Sequence, residues 1–205
     1  MWKNVFLIAS LFVFSNSGSF AQKLDLSLSL GSHRAPNQRF YEMPSEGFNL
    51  NFGLQYHPNN NWSLGTSINH ASFTYLRASA ASIPLVPILG QLPLNGLVKT
   101  DFMSFIVNRK ILLPFDILIE AGVGLGIFVE ENEFYDVAGF DEERQAFTGF
   151  FWSSETSVGL QFPISYSIKK IFKDKASLGL QGGWFLDKTG FIRGTYIGPR
   201  IGIYL

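Results

Sequence analysis

The chain has 205 residues, of which 46% are hydrophobic and 16% are charged, and its 16 basic and 16 acidic residues cancel. Average soluble domains carry roughly 25% charged residues, so this chain is poor in charge. The neutral balance argues against a nucleic-acid-binding protein, because phosphate binding needs a concentrated basic face. The apolar content excludes intrinsic disorder. The absence of Cys excludes disulfides, thiolate metal sites and a lipid-modified N-terminal Cys.

The first 21 residues have the three parts of a secretory signal peptide. Lys3 gives a short positive start, residues 5–14 form an apolar core, and Ser19 and Ala21 are the small residues that a signal peptidase recognises. The apolar run is too short to span the roughly 30 Å of hydrocarbon in a bilayer. We therefore expect cleavage between residues 21 and 22, which leaves residues 22–205 as one domain.

The remainder of the chain alternates apolar and polar residues with period two, which is typical of β-strands. In residues 23–31, for example, four Leu share one face and small or acidic residues share the other. Phe73 and Tyr75 break the phase of the third segment, which predicts a β-bulge there. The alternation predicts eight strands, at residues 23–31, 47–57, 62–75, 98–108, 115–129, 149–162, 175–186 and 191–205.

The composition of the polar face decides between two architectures. A soluble barrel or sandwich turns its apolar face inward, whereas a transmembrane barrel turns that face to lipid. Here the polar face is mostly Ser, Gly, Asn and Gln, not the Lys, Glu, Asp and Arg of a water-facing sheet. Small residues suit the lumen of an eight-stranded barrel, which side chains fill. We predict an all-β fold, an eight-stranded antiparallel up-and-down transmembrane β-barrel.

Three charged residues are predicted on the lumen face of this barrel, namely Glu120, Glu155 and Arg200. Glu120 and Arg200 lie at similar distances from the inner, periplasmic ends of their strands. We expect them to pair, because a lone buried charge is costly. Glu155 is an alternative partner.

Connection lengths and aromatic residues favour the same architecture. Short inner turns and longer outer connections are typical of transmembrane barrels. The aromatic residues Trp62 and Phe162 on the inner side, and Trp152 and Trp184 on the outer side, predict two interfacial girdles. A Lys-rich tip is expected in the last inner connection, at residues 169–173. From a periplasmic N-terminus, the predicted outer connections are residues 32–46, 77–97, 130–148 and 187–190, and the inner ones are 58–61, 109–114 and 163–174.

The signal peptide, the eight alternating strands and a last strand that runs to the final residue resemble the small outer-membrane β-barrel proteins of Gram-negative bacteria. The resemblance implies an integral outer-membrane protein that contacts outer-membrane lipid and lipopolysaccharide and is inserted by the barrel assembly machinery. In such families the last strand usually ends in an aromatic residue. Here Ile201, Ile203 and Leu205 keep the alternation, but the terminal residue is Leu, with Tyr204 before it.

No motif in the sequence indicates a cofactor or a metal. The histidines that follow the signal peptide, His33, His57 and His70, do not have the spacing of metal ligands. Residues 122–126 are glycine-rich, but they lie within a predicted strand that no helix follows. A nucleotide-binding loop is therefore not expected there.

One constellation gives an enzyme hypothesis. His70 and Ser72 are two residues apart and share a strand face, and Asp101, near the outer end of the next strand, is placed to orient the imidazole. This arrangement resembles the lipid A deacylases, small eight-stranded barrels with a His-x-Ser pair on the lipid-facing wall. In those enzymes the pair lies later in the chain and an Asn usually follows the Ser, whereas Phe73 follows Ser72 here.

The sequence favours a non-enzymatic outer-membrane barrel with a structural or surface-interaction role and no open pore, since water channels need many more strands. One alternative is a lipid A acyl-ester hydrolase. Another is a carrier for small hydrophobic molecules, with the uncharged, apolar residues 78–98 as its entry gate. A surface partner is expected to bind the outer connections at residues 32–46, 77–97 and 130–148, of which the third is acidic.

Overall fold

The computed structural model describes residues 23–36, 44–76, 95–141, 143, 146–173 and 175–205. These residues form eight antiparallel strands that follow chain order around a closed barrel, with the first strand paired to the last. The predicted fold class is confirmed. The strands are β1 (Lys23–Arg34), β2 (Glu46–His57), β3 (Trp62–Leu76), β4 (Asn95–Leu113), β5 (Ile117–Asp141), β6 (Ala146–Phe172), β7 (Ala176–Asp187) and β8 (Ile192–Tyr204).

The first and last described strands meet at one end of the barrel, here called the inner end. The backbone N–H groups of Leu24 and Leu205 each donate to the other residue's carbonyl oxygen, at 3.2 and 2.8 Å. A 3-10 turn at Pro114–Asp116 joins β4 to β5 at the same end. Among the described residues, no helix is both long enough and apolar enough to cross a membrane.

The wall of the barrel is apolar on the outside and polar on the inside. In β8, Ile197, Ile201 and Ile203 are 52%, 55% and 60% exposed, whereas Arg200 between them is buried. The same inversion runs around the barrel, where exposed Leu, Ile, Val and Phe alternate with buried Ser, Asn and Gln. A continuous exposed apolar belt is stable against lipid rather than water. The predicted outward direction of the apolar face is confirmed.

Strand β3 keeps its phase along its whole length. Its register with β4 runs without a shift from Trp62 to Leu76. Phe73 and Tyr75 lie on the lumen face and are buried. The predicted bulge is therefore wrong. The outer part of the lumen is packed with aromatic rings, so the apolar side chains at this end of β3 face the lumen and not the lipid.

Strand β6 continues ten residues beyond its predicted inner end at residue 162, as far as Phe172. Pro163 lacks an N–H group, and the ladder with β5 omits Phe162 and Pro163 without changing register, while both residues still pair with β7. The proline therefore interrupts one ladder only. Two predictions fail as a result. Phe162 is not in the inner girdle, and residues 169–172 belong to the strand and not to an inner connection.

The predicted third outer connection, residues 130–148, mostly continues β5 and β6. These strands stay paired as far as Asp141 and Ala146, with irregular register near residue 139. The β4 ladder ends at Glu133, so the eight residues 134–141 extend the hairpin beyond it. At about 3.3 Å per residue this extension is roughly 26 Å long. The predicted signal peptide, residues 37–43 of the predicted connection 32–46 and residues 77–94 of the predicted connection 77–97 lie outside the described residues.

Candidate functional site

Four fully buried charged side chains fill the inner part of the lumen and are called the charge layer: Asp25, Glu120, Lys169 and Arg200. Lys169 Nζ lies 2.7 Å from Asp25 Oδ2 and 3.0 Å from Glu120 Oε2. Arg200 Nη2 donates to the same Asp25 oxygen at 2.8 Å. Two acids therefore face two bases across the lumen. Close pairing of this kind is what makes the burial of four charges tolerable.

The predicted lumen charges take different partners from those expected. Glu120 and Arg200 both belong to the charge layer, but Glu120 pairs with Lys169, and Arg200 pairs with Asp25. Glu155 is exposed on the outer part of β6 and takes no part in the layer. Sequence reasoning missed Asp25 and Lys169 as site residues. Asp25 could have been found from its position on the polar face of β1, whereas Lys169 falls within the predicted inner connection 163–174.

Stacked rings fill the outer part of the lumen and are called the aromatic plug. Phe102 and Phe185 stack with ring centroids 3.9 Å apart, and Phe185 stacks on Tyr196 at 5.2 Å. His33 stacks on Phe73 at 5.7 Å. Because these rings come from strands all round the barrel, the plug reaches across the lumen. The aromatic plug consists of His33, Phe73, Phe102, Phe128, Phe185 and Tyr196.

A β-bulge in β8 covers the outer side of the plug. The register between β7 and β8 shifts next to Phe185, which leaves Arg193 as an extra residue. Its guanidinium carbon lies 4.0 Å from the centroid of the Phe128 ring, and Nη1 donates to Glu130 Oε2 at 3.1 Å. The bulge thus turns a charged side chain over the rings, where it contributes a cation–π contact.

Gly194, next to this bulge, leaves room for the plug. A Cβ atom at Gly194 would lie 2.4 Å from Cε1 of His33. Real Cβ atoms do not approach other atoms so closely, so a larger residue would push the imidazole out of its stack. The absence of a side chain at this position therefore sets the place of His33 in the plug.

Short polar side chains occupy the lumen between the charge layer and the plug. Gln161 Nε2 donates to Ser104 Oγ at 3.0 Å, and Asn108 Nδ2 donates to Ser63 Oγ at 3.3 Å. Both amide donors thus find a buried acceptor, while Gln161 Oε1 has no hydrogen-bond partner among the described residues. From the inner to the outer end, the lumen is thus filled first by charged side chains, then by short polar ones and then by aromatic rings.

The predicted enzyme residues lie on the lipid-facing wall. His70 and Asp101 are cross-strand neighbours, and His70 Nδ1 lies 2.7 Å from Asp101 Oδ1; we call these two residues the wall pair. Their side chains are 45% and 58% exposed. Ser72 is half-buried, and the described residues show no hydrogen bond between Ser72 and His70. The structure therefore brings together two members of the predicted triad.

The wall pair lies at the outer edge of the apolar belt. His70 is eight residues from Trp62 at the inner end of β3. With a rise of about 3.3 Å per residue and a strand tilt of 35–45°, this places the pair roughly 20 Å above Trp62. The apolar band of an outer-membrane barrel is about 25 Å tall, so the pair meets the headgroup boundary. No group of three or more metal-ligating side chains occurs among the described residues.

Comparisons with known proteins agree with this geometry. No protein-family model and no curated sequence matches the chain. The attachment invasion locus protein Ail of Yersinia pestis, crystallised with the heparin analogue sucrose octasulfate, matches with a TM-score of 0.54 and 10% identity over 90% of this chain and 99% of its own. Neisserial surface protein A matches with a TM-score of 0.53 and 8% identity over 91% and 99%.

The apolar wall, the filled lumen and these matches define the fold of an outer-membrane β-barrel. More particularly, the chain has the fold of the small eight-stranded barrels to which Ail and Neisserial surface protein A belong. At identities of 10% and 8%, the likeness extends to the fold and does not identify an activity.

Proposed function

We propose that the chain is a closed outer-membrane barrel with a structural or surface-interaction role. The supporting observation is the filled lumen, in which the charge layer and the aromatic plug each reach across the barrel. In this proposal the segment 1–21 is removed, the barrel assembly machinery inserts residues 22–205, and the outer connections and the β5–β6 hairpin meet partners outside the cell.

A planar-bilayer recording tests the closed lumen. The folded full chain is expected to give no stable conductance, because water has no continuous path past two filled levels. A general porin recorded under the same conditions serves as the positive control. A large, stable conductance from the wild-type chain would contradict the proposal.

The charge of the hairpin indicates the kind of surface partner. Ail was crystallised with a sulfated sugar analogue, but the described outer hairpin of this chain carries Glu131 and Glu143, which are exposed, while Glu133 is paired with Lys99. Acidic side chains repel sulfate groups, so we propose a partner that is neutral or basic. Retention of the chain, held in nanodiscs, on immobilised heparin at physiological salt would contradict this part.

A second candidate function is hydrolysis of an acyl ester at the wall, favoured by the 2.7 Å contact between His70 and Asp101. In this reaction Ser72 Oγ attacks the ester carbonyl, His70 takes its proton and returns it to the leaving alcohol, and water then releases the fatty acid from the serine. Asp101 orients the imidazole. To test this function, the folded protein is incubated with lipopolysaccharide and the molecular mass of the lipid A is measured by mass spectrometry. The Ser72→Ala variant is the control. An unchanged mass with the wild-type chain excludes this function.

The carrier hypothesis lacks a comparable observation. It requires a cavity near the outer rim, and the aromatic plug lies there. Most of its proposed gate, residues 78–94, lies outside the described residues.

A further inference from the structure

An open furrow of about 820 Å³ crosses the outer wall of the barrel from β8, through β1, β2 and β3, to β4. It runs between two rows of outward-facing side chains that are neighbours across the strands. On β2, β3 and β4 these rows are Leu54, Thr66 and Phe105 on the inner bank, and Phe52, Ile68 and Met103 on the outer bank.

The furrow lies within the apolar belt and rises as it crosses the wall. At its β8 end, Ile203 is two residues from the last residue of the chain, whereas at its β4 end Phe105 is eight residues from the inner end of that strand. Four strand spacings of about 4.8 Å give a length of roughly 19 Å. An acyl chain of one leaflet covers about half of the roughly 30 Å hydrocarbon core. One such chain therefore fits along the furrow.

The wall pair borders the upper end of the furrow. The next outward-facing residues above Ile68 and Met103 are His70 and Asp101. A lipid chain that lies in the furrow and extends to this end brings its polar head to the wall pair. The carboxylate accepts hydrogen bonds from hydroxyl groups, and the imidazole offers a ring nitrogen opposite the one that faces Asp101.

We propose that the furrow binds one acyl chain of an outer-leaflet glycolipid, lipid A, with the wall pair at the boundary between chain and sugar headgroup. The sugar hydroxyls donate hydrogen bonds that the Asp101 carboxylate accepts. A phosphatidylcholine headgroup has no hydroxyl group that could donate in this way. This inference rests on the barrel wall alone, and it holds whether the lumen is closed or open and whether Ser72 reacts or not.

Packing rather than the hydrophobic effect must retain the acyl chain in the furrow, because lipid tails are as apolar as the barrel wall itself. Each atom pair at contact distance contributes only a small attraction, so retention of the acyl chain depends on many contacts together. Thr66 is the shortest side chain named on the inner bank, and Thr66→Phe would place a ring in the furrow. The loss of roughly ten atom contacts corresponds to about tenfold weaker retention.

Native mass spectrometry of the full chain released from nanodiscs tests the proposal. The nanodiscs contain phosphatidylcholine and lipid A, and the measurement counts the lipid A that stays bound. The wild-type chain is expected to retain one lipid A, and Thr66→Phe to lower that fraction about tenfold. Asp101→Asn is expected to reduce the preference for lipid A over phosphatidylcholine.

The matched control is Ala121→Phe, an exposed position on the lipid face of β5, away from the furrow. It adds the same ring to the wall and is expected to leave retention unchanged. Heat-modifiable migration on an unboiled gel establishes that each variant folds. Equal retention by all folded variants, or equal retention of phosphatidylcholine and lipid A, would overturn the proposal.

Discussion

The charge layer and the aromatic plug fill the two ends of one lumen by opposite means. In the charge layer, Asp25 accepts from both Lys169 and Arg200, so each group depends on the presence of the others. In the plug, rings such as Phe102 and Phe185 stack, and each contributes through its own buried area. The same requirement, exclusion of water from a narrow barrel, is therefore met by an interdependent network at one end and by graded packing at the other.

The largest expected effect comes from the charge layer. Lys169→Met leaves Asp25 and Glu120 buried with one cation fewer, and breaking a buried pair in this way costs about 3–5 kcal/mol of unfolding free energy. Urea unfolding of the chain in phospholipid vesicles measures the loss. The adjacent Lys170 is exposed, so Lys170→Met is expected to stay within about 0.5 kcal/mol of wild type. Similar losses for both variants would contradict an interdependent charge layer.

Changes in the plug are expected to lower the free energy of unfolding less than changes in the charge layer do, and in proportion to the number of atoms removed. Phe185→Ala leaves a cavity between Phe102 and Tyr196 and should cost about 3 kcal/mol, while Phe185→Leu, which keeps most of the volume, should cost about 1 kcal/mol. The same unfolding measurement applies. Phe151 is exposed on the outer hairpin, and Phe151→Ala is the control, expected within about 0.5 kcal/mol. Equal losses for the Ala and Leu variants would show that the plug is not graded.

Overpacking of the plug is expected to have a smaller effect. Gly194→Ala forces a Cβ atom against the His33 ring and should cost about 2 kcal/mol. In a His33→Ala background the space is free, so the same change should cost close to nothing. A cost that persists without the imidazole would assign the effect to the β8 backbone instead of the plug.

The smallest expected effect is the coupling between the two ends of the lumen. Lys169 lies six residues along β6 from Pro163, which pairs with Phe185, and six residues span about 20 Å. The losses from Lys169→Met and Phe185→Ala should therefore add within about 0.5 kcal/mol in the double variant. A larger coupling free energy would mean that the charge layer and the plug act as one unit.

The sequence pattern was sufficient for the strand faces but not for the contacts within the lumen. Period two together with the composition of the polar face predicts that the alternating Leu, Ile and Val lie on the outer wall and that Glu120 and Arg200 lie inside, and that is where they lie. It could not say that Glu120 meets Lys169, because that contact depends on the stagger of neighbouring strands around the barrel. Residues 163–172 of β6 fall in a predicted inner connection that begins at Pro163, yet the missing N–H group of this proline affects only one of the two ladders.

Phe73 and Tyr75 show a second limit of the pattern. Both are apolar residues on the lumen face, in the region of the aromatic plug. Alternation assigns a residue to a face from its neighbours, and it assumes that each face keeps one chemistry from end to end. The lumen of this barrel changes from charged to aromatic along its axis, so the assumption fails near the outer end.

The position of the charge layer has a consequence for the order in which the barrel forms. Asp25 lies in the first strand, and its two partners follow 144 and 175 residues later. Contacts so distant in sequence form late, because the entropy of closing the intervening chain must be overcome first. Until β8 arrives, Asp25 lacks Arg200 and β1 has an open edge. The contact between Asp25 and Arg200 therefore forms in the same final step as the closure of the ring, so this ion pair holds the first and last strands of the completed barrel together.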